Sequence, residues 1–192
     1  MICASSQAGQ TILVFGDSLS AGFGIRQEQS WPVLLAQRLS AARYPYQVAN
    51  ASISGETTSG GVSRIGPAIS QFKPAIVIIE LGANDGLRGL SLQQMRANLR
   101  EMIRLCQENH AQVLLVGIRL PPNYGMNYTQ QFASIYADLR RQHKTALLPF
   151  LFEGFAGSRD AFQEDGLHPT AAAQPLVLDN VWHALLPLLR KP

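Results

Sequence analysis

Five short apolar runs recur along the chain, and a turn-forming residue follows most of them. They are rich in β-branched residues, and most show no alternation with polar residues. A run of about four to eight such residues is typical of a strand that is buried on both faces. The pattern predicts parallel strands at residues 11–15, 46–49, 75–81, 113–118 and 146–148.

Amphipathic segments separate these runs. Their apolar residues recur every three or four positions, which is the spacing of one face of a helix. This spacing predicts helices at residues 32–39, 62–72, 92–106, 132–139 and 176–189. The alternation of strand and helix predicts a three-layer α/β/α fold, in which five parallel strands have the flavodoxin-like order 2-1-3-4-5.

The carboxyl ends of the predicted strands are where function is expected. In an open parallel sheet, ligands bind outside these ends, near the point where the strand order reverses. Here that point lies between the first and third strands, so functional residues should follow those two strands. Residues 119–127 contain Pro and Gly, and we interpret them as a long loop that leaves the fourth strand at the same edge.

The composition is that of a single folded domain. The chain has 192 residues, of which 46% are hydrophobic and 15% are charged, and this length buries a core without disulfide or metal support. We predict one domain at residues 11–192 and a flexible N-terminus at residues 1–10. No apolar run is long enough to span a membrane.

Residues Ser6-Gln7-Ala8 resemble the small-x-small rule of signal-peptidase sites. They predict the remnant of a secretion signal, although a cloning remnant would have the same composition.

Charge and cysteine content exclude some classes of function. The net charge is +3, and the basic residues are dispersed instead of forming a run with aromatic residues, so no nucleic-acid partner is expected. A basic balance still permits transient contact with an anionic lipid surface. The two cysteines, Cys3 and Cys106, are poorly placed for a structural disulfide and too few for a zinc site.

The segment Gly16-Asp17-Ser18-Leu19-Ser20 follows the first predicted strand. The turn at this edge exposes Ser18 as a candidate nucleophile, but Ser18 is equally well interpreted as the cap of a following helix. The segment is not the G-x-S-x-G nucleophile elbow, because position 20 is serine. An α/β-hydrolase fold is therefore not indicated.

Two further loops at this edge carry hydrogen-bond donors. Residues 50–57 contain Gly55 among several hydroxyl side chains, and residues 81–86 contain Asn84, whose amide can donate to a ligand. Each loop by itself could be an ordinary turn.

Asp165 lies three residues before His168 in a loop bounded by Gly and Pro. An acid at this spacing can accept the Nδ1 hydrogen bond and leave Nε2 free to take a proton. The other histidines, His110, His143 and His183, are interpreted as solvated. The four segments together supply the groups that acyl transfer needs.

These segments resemble the four sequence blocks of the SGNH/GDSL hydrolases, in the expected order, at Ser18, Gly55, Asn84 and His168. Within this superfamily the chain is most similar to the small bacterial acyl-thioesterase, lysophospholipase and arylesterase group. Six stretches carry this similarity: GDSLSAGFG, NASISGET, ELGANDGLRG, IRLPPNYG, LLPF and DGLHP. Ala83 departs from the group, which often has glycine there. Members are commonly exported, so the resemblance implies a periplasmic or secreted protein.

The resemblance also implies a mechanism. Ser18 would attack an ester or thioester carbonyl, His168 would transfer the proton, and Asp165 would stabilise the imidazolium. The backbone N–H groups of Ser18 and Gly55 and the amide of Asn84 would form the oxyanion hole. No metal or organic cofactor is required, the partner is a small acyl ester or thioester, and a monomer is expected.

Three other acids are assigned structural roles. Asp17 is predicted to fix the Ser18 turn through backbone N–H bonds, and Asp85 is interpreted in the same way. Glu80 lies within an apolar strand, so it should be paired or protonated, and Arg119 is its candidate partner.

The substrate stays open between several classes. An apolar groove for an acyl chain is predicted from residues in the loops, namely Leu87, Leu90, Leu120, Pro121, Tyr124, Met126 and Phe162. One rival is a carbohydrate O-deacetylase of the same superfamily. The other is a non-catalytic flavodoxin-like module that binds phosphate through residues 52–59, but it leaves Asp165 and His168 without a purpose.

Overall fold

The computed structural model describes residues 10–191. Five parallel strands form one sheet in the order β2-β1-β3-β4-β5, which confirms the predicted architecture. The strands are β1 (Gln10–Gly16), β2 (Tyr46–Asn50), β3 (Ile76–Glu80), β4 (Gln112–Val116) and β5 (Ala146–Leu148). Most of the predicted flexible N-terminus lies outside the described residues, and Gln10 is already the first residue of β1.

Within residues 10–191, seven α-helices form the two outer layers and the turns after the strands. One layer contains α2 packed against α7, and the other contains α3, α5 and α6, which contact one another in that order. The helices are α1 (Ser18–Ala21), α2 (Trp31–Ala41), α3 (Thr58–Phe72), α4 (Ala83–Leu87), α5 (Leu92–Glu108), α6 (Met126–His143) and α7 (Gln174–Leu185).

The central strands are apolar because both faces of the sheet are covered by helices. All five residues of β3 are buried, and in β1 the residues from Ile12 to Phe15 are inaccessible to solvent. Burial of both faces is the reason that these strands have no alternating pattern. The buried apolar side chains form a single cluster on both sides of the sheet.

The helices differ from the predicted ones mainly at their ends. α3 begins at Thr58, four residues before the predicted start, and Thr57 caps it by accepting a hydrogen bond from the backbone N–H of Gly60. α6 begins at Met126, six residues before the predicted start at residue 132. The predicted loop at 119–127 contains a 3-10 turn (Pro122–Tyr124). The predicted last helix divides into α7 and a 3-10 turn (Leu186–Leu188).

The register of the strands places the carboxyl ends of β1, β2 and β3 next to one another along one edge of the sheet. Gly16 of β1 is paired with Glu80 of β3, and Val14 of β1 is paired with Asn50 of β2. The segments after β1, β2 and β3 therefore leave the sheet side by side. Within residues 10–191, no helix combines the length and apolar character that crossing a bilayer requires.

Substitution of Gly82, between β3 and α4, tests how tightly this edge of the sheet is packed. Its φ is +120°, and an ideal Cβ would lie 2.4 Å from the hydroxyl oxygen of Tyr136 and 2.6 Å from Met95 Cε. We expect Gly82→Ala to lower the free energy of unfolding by about 1–3 kcal/mol, because it adds both backbone strain and overpacking. Denaturant unfolding measures this change.

Gly66 is the matched control, since an added Cβ there meets no atom within 4 Å. Gly66→Ala lies inside α3 and should raise the free energy of unfolding by about 0.5–1 kcal/mol. Equal stabilities of the two variants would contradict the account of Gly82.

Candidate active site

Ser18, His168 and Asp165 form a continuous line of hydrogen bonds. His168 Nε2 lies 2.8 Å from Ser18 Oγ, although 150 positions separate the two residues. His168 Nδ1 lies 2.7 Å from Asp165 Oδ2. The structure therefore brings together the three residues predicted to be catalytic, in the order nucleophile, base and acid.

The Asp165 carboxyl is held in its ionised form. Its Oδ1 accepts hydrogen bonds from the backbone N–H groups of Leu167, at 2.8 Å, and His168, at 3.0 Å. Desolvation by partial burial raises the pKa of Asp165, but these backbone bonds and the His168 ring outweigh it and lower the pKa to about 2. The carboxylate is thus charged at neutral and mildly acidic pH.

Asp17 fixes the turn that presents Ser18. Its Oδ1 accepts a hydrogen bond from the backbone N–H of Leu19 at 3.0 Å, which makes Asp17 the N-cap of α1. The interpretation of Ser18 as the cap is therefore wrong, and Ser18 is the first residue of the helix. Burial raises the pKa of Asp17 to about 6, against the lowering effect of its hydrogen bonds from Leu19 and Asn84.

The two predicted oxyanion loops lie beside this turn and are linked to it. Asn84 Nδ2 donates to Asp17 Oδ2 at 3.1 Å and to the Glu56 carbonyl oxygen at 3.0 Å. Within the described chain, no acceptor is bonded to the backbone N–H of Ser18 or of Gly55. Gly55 has a φ of +80°, which explains why glycine occupies this position.

Arg88 joins the same two loops from the solvent side. Its Nη2 donates to the Gly55 carbonyl oxygen at 3.1 Å and to Asn84 Oδ1 at 3.3 Å. The sequence interpretation did not single out Arg88, and its position four residues after Asn84 is the only local signal.

Glu80 is not paired with Arg119, and that prediction is wrong. Glu80 Oε2 accepts a hydrogen bond from Ser20 Oγ at 2.7 Å, below the nucleophile turn. Arg119 instead pairs with Glu153 at 3.4 Å. The reason is direction: Glu80 points under Gly16, whose ideal Cβ would lie 2.7 Å from Glu80 Oε2, whereas Arg119 extends beyond the end of β4.

Burial determines the charge state of Glu80. The side chain is inaccessible to solvent, and desolvation raises its pKa well above the ordinary value, with a further upward contribution from the nearby Asp17 charge. Burial therefore favours the neutral carboxylic acid at Glu80, below the Ser18 turn, as its position in an apolar strand implied.

Asp85 has the structural role predicted for it. Its carboxylate accepts hydrogen bonds from the backbone N–H and the hydroxyl of Thr58, at 2.9 and 2.6 Å. Thr58 in turn accepts from Asn98 at 3.0 Å. This buried network connects α3, α4 and α5.

Phe23 and Gln163 contact His168 and the loop that carries it, and the sequence interpretation missed both. The Phe23 ring centroid lies 4.5 Å from that of His168. Gln163 donates its backbone N–H to the His168 carbonyl at 2.8 Å, and its side-chain amide donates to the carbonyl oxygens of Phe23, at 2.8 Å, and Pro169, at 3.2 Å. No local motif reveals these contacts, because Phe23 and Gln163 are 140 positions apart.

A groove of about 500 Å³ opens at Ser18 and His168. One wall is apolar and consists of Ile118, Leu120, Phe150, Phe152, Phe162 and Leu167. Among the residues predicted for such a groove, Leu87, Leu120, Pro121 and Phe162 line it, whereas Leu90, Tyr124 and Met126 are exposed outside it.

The described residues give little support for metal binding or for a reactive thiol. In the part of the chain that the structure covers, no three His, Cys, Asp or Glu side chains are grouped as metal ligands would be. Cys106 is buried and has a free thiol, and burial raises its pKa to about 12. Cys3 lies outside the described residues.

Glu80 provides a test by pH dependence. Its pKa in the folded state is above the unfolded value of 4.5, so above that pH the native protein keeps a proton that the unfolded chain loses. Glu80 must then lower the free energy of unfolding as pH rises, by up to about 1.4 kcal/mol per pH unit. Glu80→Gln removes this contribution, so its stability relative to wild type should increase from pH 5 upward.

Denaturant unfolding between about pH 5 and 8 measures this difference. Glu153→Gln, at an exposed carboxylate, is the control and should leave the slope unchanged. Parallel pH curves for wild type and Glu80→Gln would show that Glu80 is not a buried neutral acid.

Comparisons with known proteins agree with this geometry. The sequence profile of the GDSL-like Lipase/Acylhydrolase family matches residues 14–175. The chain is 48% identical to Esterase TesA of Pseudomonas aeruginosa, over 98% of this chain and 94% of the relative. It is 42% identical to an arylesterase of Vibrio mimicus, over 96% and 92% of the two chains. With thioesterase 1/protease 1/lysophospholipase L1 of Escherichia coli, the identity is 40%, over 95% and 86%.

Two solved structures are similar over nearly the whole chain. A crystal structure of TesA has a TM-score of 0.92 at 49% identity and covers 94% of this chain and 100% of its own. The psychrotrophic esterase EstA from Pseudoalteromonas sp., inhibited by monoethylphosphonate, has a TM-score of 0.89 at 39% identity and covers 93% and 97%.

Proposed function

Because the chain belongs to the GDSL-like lipase/acylhydrolase family and is a serine ester hydrolase, we propose that Ser18 is its nucleophile, His168 its general base and Asp165 the partner of the imidazole. The observation that carries this assignment is the line of hydrogen bonds from Ser18 Oγ through His168 to Asp165, with distances of 2.8 and 2.7 Å. A base within this distance of a hydroxyl can take its proton as the hydroxyl attacks.

The reaction proceeds in two halves. Ser18 Oγ attacks the carbonyl carbon as its proton passes to His168 Nε2, and the imidazolium is stabilised by the charge of Asp165. The tetrahedral intermediate collapses when His168 protonates the leaving alcohol or thiol, which leaves an acyl group on Ser18. Water then attacks this ester with His168 again as base, and the carboxylic acid is released. Neither half requires a metal or an organic cofactor.

The proposed oxyanion hole consists of the backbone N–H groups of Ser18 and Gly55 and the amide of Asn84. The two backbone groups support this assignment because they have no acceptor within the described chain. The amide of Asn84 already donates to Asp17 and Glu56, so it must share or release one of these bonds as the oxyanion forms. Losing a single donor typically costs about 10²- to 10³-fold in rate.

Acyl esters and thioesters are the proposed substrates. The apolar wall of the groove begins at the nucleophile and offers an acyl chain far more buried surface than an acetyl group could use. The names arylesterase and thioesterase/lysophospholipase among the relatives favour the same classes. This supports an acyl-chain hydrolase over a carbohydrate O-deacetylase.

The phosphate-binding alternative depends on the hydroxyl side chains of the loop at residues 52–59. Ser52 Oγ accepts the backbone N–H of Gly16, Thr57 caps α3, and Thr58 is bonded to Asp85. In these contacts only Thr58 donates its hydroxyl, whereas Ser52 and Thr57 act as acceptors. The phosphate-binding alternative is disfavoured because it gives the hydrogen-bonded pair of Asp165 and His168 no role.

The remaining proposals concern the whole protein. We propose a single domain at residues 11–192 that acts as a monomer. Export to the periplasm or out of the cell rests on residues 1–10, nearly all of which lie outside the described part.

Ser18→Ala tests the nucleophile. We expect kcat for p-nitrophenyl esters of graded chain length to fall by about 10⁴- to 10⁶-fold, because only the oxyanion hole and substrate binding would remain. Ser54→Ala, at an exposed serine in the neighbouring loop, is the matched control and should keep nearly full activity.

A fluorophosphonate probe should also label the wild-type protein once, at Ser18 and not at Ser20. A phosphonate inhibits the related EstA, which supports this expectation. Full activity of Ser18→Ala, or a label on another serine, would refute the assignment.

Asp165 and His168 are tested by the pH profile. Activity should fall on acidification, because an imidazolium cannot accept the Ser18 proton, whereas Asp165, with a pKa of about 2, stays ionised. Asp165→Asn should lower kcat about 10⁴-fold by removing the charge that orients the ring. Asp160→Asn, at an exposed carboxylate in the same segment, is the control. A flat profile at acidic pH would contradict the role of His168.

A further inference from the structure

Large apolar side chains are exposed mainly at one edge of the molecule. Within residues 10–191, eight such side chains are exposed, and six of them lie in the segments that follow the carboxyl ends of the strands. We call these six the apolar rim: Phe23, Ile53, Leu90, Tyr124, Met126 and Leu167. Every strand is followed by at least one member, and Met126 is the most exposed, at 75%.

The apolar rim adjoins the mouth of the groove. Leu167 lines the groove, and the Phe23 ring lies against His168. The Tyr124 hydroxyl donates to the carbonyl of Leu87, which also lines the groove. Exposed apolar residues grouped in this way are typical of a contact surface, whereas single ones are ordinary.

Charges of both signs lie near the rim, and they form no patch of a single sign. Arg159, Asp160 and Glu164 all lie in the segment before Leu167. Arg26 pairs with Glu28 at 3.3 Å, and Arg119 pairs with Glu153 at 3.4 Å. Arg88 bonds to neutral oxygens of Gly55 and Asn84. An acidic carrier protein would require a cationic patch, and a cationic partner would require an acidic one. This edge offers neither, so its attractive component is apolar.

We propose that the apolar rim docks on the surface of a zwitterionic lipid aggregate, with the mouth of the groove facing the lipid. Docking would be driven by burial of the rim side chains and would depend little on salt. An acyl chain could then pass from the aggregate into the groove without crossing water. That the aggregate supplies the substrate rests on the proposed function, but the docking itself does not.

Vesicle co-sedimentation tests the proposal. The probe is phosphatidylcholine vesicles, and the protein carries Ser18→Ala so that binding is measured without hydrolysis. We expect binding of similar strength at low and high ionic strength. Adding Leu90→Ser and Met126→Ser should weaken it at least about tenfold, because each removes an apolar group from the contact.

Leu186→Ser is the matched control. Leu186 is also exposed, but it follows α7 near Arg190, whose backbone N–H bonds to Tyr46 at the beginning of β2. It therefore lies at the opposite edge, and its variant should bind as the parent does. Thermal unfolding verifies that every variant is folded.

Three outcomes would overturn the proposal. One is a rim variant that binds vesicles as tightly as the Leu186→Ser control. Another is a parent protein that fails to bind phosphatidylcholine, or that binds only anionic vesicles and is released by salt. The last is a parent that dimerises in sedimentation velocity while the rim variant is monomeric, which would make the rim an interface between two copies of the chain.

Discussion

All five strands run in the same direction, and β1 and β3 lie side by side at the centre of the sheet. The strands are covered by helices on both faces, so the chain can expose functional groups only where it leaves the sheet. The register sets Gly16 beside Glu80 and thereby places the nucleophile turn next to the Asn84 loop. Asp165 and His168 reach this edge from the segment after β5. Every element of the proposed site depends on this constraint.

Buried polar groups hold the nucleophile turn from below. Asp17 caps α1 and accepts from Asn84, Ser20 donates to Glu80, and Asp85 accepts from Thr58. Burying acids this closely is costly unless they are hydrogen-bonded or protonated. The protein uses both solutions, since Asp85 is fully bonded and the high pKa of Glu80 leaves it neutral. The site is thereby ordered before a substrate arrives, which is the condition for electrostatic stabilisation of an oxyanion.

The surface around the site is apolar although the chain is basic overall. The net charge of +3 permits contact with anionic lipid, but Arg119, which lines the groove, is paired with Glu153, and Arg26 is paired with Glu28. Net charge describes the whole chain and not any one surface. The apolar rim and the apolar wall of the groove together favour a substrate that is itself apolar over most of its length.

The sequence alone was sufficient to predict the strand order and to single out Ser18, His168 and Asp165, which the structure joins in one line of hydrogen bonds. Short continuous apolar runs are typical of strands buried on both faces. Asp165 lies three residues before His168, close enough for its carboxylate to accept the Nδ1 hydrogen bond. The tertiary structure decided the partner of Glu80, the cap of α1, and the support of His168 by Phe23 and Gln163. These contacts join residues up to 140 positions apart, and they depend on the direction in which each side chain leaves its backbone. Spacing along the chain carries no information about that direction, so only the folded structure determines such contacts.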